Sequence, residues 1–329
     1  MTERAAQPIS RAVRWLLPSL GQWLWLVLLL ILLAEPWRTT LVASDGDACM
    51  HWRVGDWMLQ HKQIIRIDVF SHTRYGQPVI SKDWLSEIIF AGAGRVAGLY
   101  GIAVVAALVI ATTFALLHRQ LLREGNELLV STILTLLAAW AASTHWLARP
   151  HVFSFLLALL WNGALRSFDR DGRTKKLAVT LGVLMLLWVN LHGAFLAGLF
   201  ILGAYWLGAV IEFTRVTDQQ AIVAARQRIG ALTAVGLLCG LVSLLNPSGF
   251  KLHLHTLQFL QSEYLTGWLN EYTSPNFQSA GHRGFLIWLA IIFFTLVWRR
   301  PRVSASAAVL LLSWTYFALY AVRNIPLMA

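Results

Sequence analysis

Apolar residues along this chain gather into long uninterrupted runs rather than the short alternations of strands or the one-sided stripes of soluble helices. Read against a hydrocarbon layer about 30 Å thick, candidate spans fall near 15–34, 96–117, 128–147, 152–165, 177–191, 194–213, 229–245, 284–298 and 303–322. The pattern predicts an all-α fold: a polytopic membrane helix bundle of nine transmembrane helices forming one domain over residues 1–329. The runs at 152–165, 177–191 and 284–298 are short for a full crossing, so flanking Trp and His residues, or packing around a polar cavity, must complete them. Two longer polar stretches interrupt the pattern, 35–95 and 246–283.

The first stretch contains helical spacing of its own. Ser44-Asp45-Gly46-Asp47 is followed by Ala48, Trp52, Val54, Trp57, Met58 and Leu59, an interfacial amphipathic helix with Ser44 or Asp45 as its cap. Asp47 and His51, four apart, share a face. Within 81–98, Trp84, Leu85, Ile88 and Ile89 lie on one side and Asp83 with Glu87 on the other, and this segment runs into the second span.

Composition fixes the solvent. With 57% hydrophobic and 13% charged residues, and a mean hydropathy of +0.60, the chain has too little polar surface to clothe a soluble globule. A net charge of +11 invites a nucleic-acid reading, but the basic residues form short clusters between apolar runs, so a lipid bilayer is the expected partner and no nucleic acid. Arg4, Arg11 and Arg14, Arg119 and Arg123, and the clusters in 166–176, 214–230 and 299–302 all fall on one side. The short connections near 148–151 and 192–193, on the other side, hold only Arg149. The positive-inside rule then predicts a multi-pass protein of the inner (plasma) membrane with a cytoplasmic amino terminus and both long loops extracytoplasmic. The first run is 20 residues with no small-residue cleavage site after it, as expected of an uncleaved span. The chain stops at Arg323-Asn324-Ile325-Pro326-Leu327-Met328-Ala329 without a polar tail, as expected of a segment that precedes a further span. Cys49 and Cys239 are the two cysteines, too few for a disulfide framework or a typical zinc site.

Two interfacial helices flanking a carboxylate directly after the first span resemble the first outer loop of the GT-C glycosyltransferases that use polyprenyl-phosphate sugars, such as protein O-mannosyltransferases and lipid A aminoarabinose transferases. The family pattern of an early Asp, a helix ending in Met-Leu, a short polar stretch, a Pro and a Trp is matched by Asp47, Met58, Leu59, Pro78 and Trp84. The chain departs from it at Ala48, where the family often has an acid, and at Gly76-Gln77, where it has a charged pair. The resemblance implies inverting transfer from a polyprenyl-phosphate sugar donor to a hydroxyl of a glycan, lipid or protein acceptor. A lipid-linked phosphate departs without protonation, so one base suffices where glycoside hydrolysis needs two carboxylates. Asp47 is the first choice for that base and Asp45 the second. Candidates to bind substrate are His51, Lys82, Asp83, Glu87, Arg149, His151, His192, Glu271, Tyr272 and Arg323, the cations among them meeting the phosphate. No metal ligands are assigned, and a divalent metal cofactor is left open.

Simpler readings stand beside these. Asp45 and Asp47 also suit a turn and a helix cap, and Asp83 with Glu87 a solvated helix face. Arg149, His151 and His192 also suit snorkelling anchors. His253 and His255, two apart, point to different sides of a helix and do not make a metal pair. Rival functions are a lipid or polysaccharide transporter, and a polymerase or ligase of lipid-linked glycans in which His253, His255, His282 and Arg283 carry the chemistry.

Overall fold

The computed structural model describes residues 19–44 and 46–329. Among these residues every regular element is a helix, apart from one isolated bridge between Ile67 and Pro78. Helix α1 (Leu20–Leu33) starts on a capping box, in which the Ser19 hydroxyl accepts from the Gln22 N–H and the Gln22 side chain accepts from the Ser19 N–H. It bends by 67° into α2 (Trp37–Ala43). Next comes α3 (Asp47–His61), whose N-cap is Gly46. The expected Ser44 cap is not made, because its hydroxyl donates back to the Thr40 carbonyl at 2.6 Å. Asp45 lies outside the described residues.

Helix α4 (Trp84–Arg123) joins the expected interfacial helix to the expected second span, with a break between them at Ala97 and Gly98. Gly98 has φ 59° and ψ −146°, a conformation open in practice to glycine alone, and it turns the interfacial arm into the crossing helix. The bundle continues with α5 (Leu128–Ala142), α6 (His151–Asp171), α7 (Thr174–Leu191), α8 (Leu196–Phe213) and α9 (Gln219–Val242). The late loop folds as α10 (Phe250–Gln261) and α11 (Glu263–Trp268), and α12 (Arg283–Arg299), α13 (Ala305–Tyr320) and α14 (Ile325–Met328) close the described chain.

Six of these helices are long and apolar enough to cross a membrane, or seven if the bent α1–α2 pair is one span, fewer than the nine expected. The runs at 152–165 and 303–322 are helical but fall below that standard. His151, Asn162 and Arg166 dilute α6, and α13 has only 16 residues. Large apolar side chains point outward all round, among them Leu26 and Leu30 on α1, Leu237 and Leu241 on α9, and Phe293, Phe294 and Trp298 on α12. Such a girdle is untenable in water and ordinary in lipid. The chain is a multi-pass membrane protein.

Where lipid is the solvent, helices associate through close packing rather than through escape from water. The buried face of α4 is accordingly small, with Ala103, Ala106, Ala107 and Ala111, and α5 presents Ala138, Ala139 and Ala142. Larger groups fill the middle, where the Trp161 and Trp188 rings meet at 6.0 Å. The arm of α4 is crossed by α3 backbone to backbone. A Cβ added at Gly55 would lie 2.0 Å from the Glu87 carbonyl oxygen. Gly55→Val should therefore lift α3 off the arm and cost about 2 kcal/mol, read as a lower unfolding midpoint in detergent. Gly92, with open space around its Cβ position, should accept Ala with no loss.

Candidate functional site

One end of the bundle gathers the start of α3, the residues before α4, the α5–α6 and α7–α8 connections, the late loop and the segment before α14. At its centre is Arg149. The preceding Ala148 N–H donates to the Leu41 carbonyl at 2.7 Å, which ties this connection to α2, and Pro150 with its fixed φ then opens α6. The guanidinium lies 3.1 Å from Asp47 Oδ2 on one side and 3.2 Å from Glu271 Oε2 on the other. Glu271 in turn accepts from Arg323 Nη1 at 2.9 Å, and the Arg323 guanidinium sits 4.4 Å over the Tyr272 ring. Carboxylate and guanidinium thus alternate through Asp47, Arg149, Glu271 and Arg323, across four separate segments of the chain.

Histidines line the inner side of this chain. His145 Nε2 is 3.9 Å from Glu271, and its ring lies 4.6 Å from that of His151. His151 Nε2–H donates to the His145 carbonyl at 2.8 Å. The His151 and His192 rings are 6.4 Å apart. Trp188 Nε1–H donates to Ser154 Oγ at 2.7 Å, so the Ser154 hydroxyl is left to donate to His192 Nδ1 at 2.8 Å. The remaining proton of His192 is then on Nε2. Burial, opposed by the Asp83 charge and assisted by Lys82 and Arg323, holds this imidazole down to about 3, so it is a neutral donor at ordinary pH.

Asp83 and Glu87 are buried, which overturns the solvated-face reading. Glu87 is 3.0 Å from His51 Nδ1 and accepts from the Ser81 hydroxyl at 3.4 Å. Asp83 accepts the Gly193 N–H at 3.1 Å, locking the break between α7 and α8 against the start of α4. Trp84 Nε1–H donates to Asn190 Oδ1 at 2.9 Å across the same seam. Lys82 passes beneath α10 with its ammonium 5.0 Å over the Phe259 ring, and Phe259 meets Tyr272 at 5.9 Å. Desolvation raises the Tyr272 phenol above its ordinary value and lowers the nearby His255 imidazole below its own.

Asp45 apart, every residue singled out from sequence is therefore at this one end. His253 bonds Ser243 at 2.8 Å and His282 the Asn276 carbonyl at 3.1 Å, and Arg283 has no ion pair or side-chain hydrogen bond among the described residues. Sequence reasoning missed His145, Ser81 and Ser154. The first ends an apolar run as His151 begins one, and Ser154 lies one turn after His151. Among the described residues, no group of three His, Cys, Asp or Glu side chains has a metal-holding arrangement. Two clefts, of about 840 and 380 Å³, both reach Arg123, Arg166 and Arg170 at the opposite end, the larger extending to Ala142 and to Pro326–Ala329, and neither is lined by Asp47 or its ion-pair partners. Comparison with protein-family models, curated proteins and solved structures finds no match.

Two outcomes follow from this geometry. Removing one partner of the buried His51–Glu87 pair, as in His51→Ala, should cost about 3 kcal/mol, and a double-mutant cycle with Glu87→Ala should give a coupling above about 1 kcal/mol, both read from detergent unfolding. A neutral buried His192 with its folded value near 3 against 6.5 binds fewer protons folded than unfolded. Its contribution to stability is therefore full above 6.5 and is lost as the pH falls towards 3. The unfolding midpoint should drop over that window, and His192→Gln should flatten the slope.

Proposed function

We propose that this chain is a GT-C type glycosyltransferase of the inner membrane, moving a sugar with inversion from a polyprenyl-phosphate donor to an acceptor hydroxyl on the extracytoplasmic face. The observation that carries the reading is Asp47, in the first turn after the α1–α2 span, bonded to Arg149 and through Glu271 to Arg323. Orientation is supported by the basic residues at the other end, Arg119, Arg123, Arg166, Arg170, Arg173, Lys175 and Lys176, which the positive-inside rule puts in the cytoplasm.

In this mechanism the donor phosphate takes the place of the Asp47 carboxylate on Arg149. Arg149 and Arg323 hold the phosphate as charge builds on it, with Lys82 and the His192 Nε2–H as further donors. Arg149 turns from Asp47 to the phosphate, which leaves the carboxylate to take the acceptor proton as the anomeric carbon is attacked from the opposite face. Glu271 keeps Arg323 in place, and Tyr272 beneath that guanidinium gives the sugar an aromatic wall. The acceptor is a glycan, a lipid or a protein hydroxyl.

A second reading, a polymerase or ligase of lipid-linked glycans, is favoured by the position of Glu271, a late-loop residue, between both arginines. Assay in membranes with labelled polyprenyl-phosphate sugars separates the two. Asp47→Asn should lower transfer by about two to four orders of magnitude while the protein stays inserted at wild-type amount. Wild-type transfer by that variant, with loss on alanine substitution at His253, His255, His282 and Arg283, would replace the first reading by the second.

A further inference from the structure

The cleft of about 840 Å³ runs between α4, α6, α8, α13 and α14, from Arg123 and Arg170 at one end to Ala142 and Met328 at the other. Its walls are apolar, with Phe114, Phe155, Ile201, Leu310 and Trp314 among them, and its mouth carries Arg123, Arg166 and Arg170. The carboxylates at the mouth already have partners: Glu124 pairs with Arg166 at 2.6 Å, and Asp169 with Arg228 at 3.0 Å. Arg123 and Arg170 are exposed and make no ion pair or side-chain hydrogen bond among the described residues. The smaller cleft, of about 380 Å³, reaches the same two arginines from the other side of α6.

We infer that this cleft binds an anionic phospholipid of the adjoining leaflet, its phosphate between Arg123 and Arg170 and an acyl chain along the wall from Asn162 to Phe155 and Trp314. The dimensions fit. From Arg166 to Phe155 the helix rises about 16 Å, close to the roughly 15 Å depth of one leaflet's hydrocarbon. The polarity fits at each depth as well. Two guanidinium groups without carboxylates attract a net negative headgroup, to which a zwitterionic lipid would add an opposing ammonium. One turn deeper, Asn162 accepts from the Tyr205 hydroxyl at 2.9 Å through its carbonyl, which leaves its amide N–H groups for the lipid ester. Below that level the lining is apolar apart from Thr113, whose hydroxyl donates to the Val109 carbonyl of its own helix, and a soluble anion would leave it uncovered.

Native mass spectrometry of the full chain in neutral detergent, titrated with dioleoyl-phosphatidylglycerol and with dioleoyl-phosphatidylcholine, tests this. The phosphatidylglycerol should bind more tightly by roughly tenfold. Arg123→Gln with Arg170→Gln should abolish the preference, and Arg123→Lys with Arg170→Lys, which keeps both charges and guards against a folding defect, should retain most of it. Equal binding of the two lipids by the wild type, or an unchanged preference in the double Gln variant, would overturn the assignment. So would displacement of bound phosphatidylglycerol by undecaprenyl phosphate at equal concentration, which would make the cleft a polyprenyl site instead.

Discussion

The end of the bundle that holds the candidate site depends on how one arginine is neutralised. Arg149 is mostly buried, its side chain 19% exposed, and a guanidinium so placed is tolerable only if paired and hydrogen-bonded. Its partners come from the first loop and the late loop, Asp47 and Glu271, and Glu271 then requires Arg323 from the segment after α13. The ion pairs act together with a backbone bond, Val322 N–H to the Thr273 carbonyl at 3.0 Å, and with an apolar cluster that holds Phe277, Val322 and Ile325. The alternation of charge makes the place chemically apt: a phosphate can substitute for the Asp47 carboxylate on Arg149, and the carboxylate so released is free to act as a base.

The helix seams beneath that end serve to hold it still. The carboxyl of Asp83 receives the backbone N–H of Gly193, Glu87 meets His51, and Trp84 reaches Asn190, so the arm of α4 is fastened to both α3 and the α7–α8 break. Gly98 allows that arm to lie across the bundle while the remainder of α4 crosses it. The neutral state of His192, imposed by burial and by the Ser154 hydroxyl, adds a hydrogen-bond donor without a charge that the surroundings would have to balance. The opposite end differs in character: beside the pairs of Arg166 with Glu124 and of Arg228 with Asp169 and Glu212 it carries Arg123 and Arg170, which make no ion pair among the described residues.

Much of the helical layout was legible in the chain because lipid demands long apolar runs, and each of the nine runs contains a helix. The count of spans was less legible, since polar residues such as Asn162 and Arg166 that serve the interior weaken the run they occupy. That the singled-out residues share one end follows from alternating crossings, which return every second connection to the same side. Their pairings were not legible. The alternative of a solvated face for Glu87 rests on acids at helical spacing, whereas His51 lies 36 positions away in sequence and Gly193, which covers Asp83, lies 110 away. The link from Arg149 to Glu271 spans 122 positions, and nothing local in either segment announces it.

The central claim is that Arg149 exchanges the Asp47 carboxylate for the phosphate of a lipid-linked sugar, which Arg323, held by Glu271, also bonds. A cryo-electron microscopy structure of the protein in lipid nanodiscs, with a non-transferable polyprenyl-phosphate sugar analogue, addresses it directly. The account predicts phosphate density bonded to both guanidinium groups, with Asp47 released from Arg149 and facing the anomeric carbon. Phosphate density elsewhere on the molecule, with the Asp47–Arg149 pair intact, would contradict it.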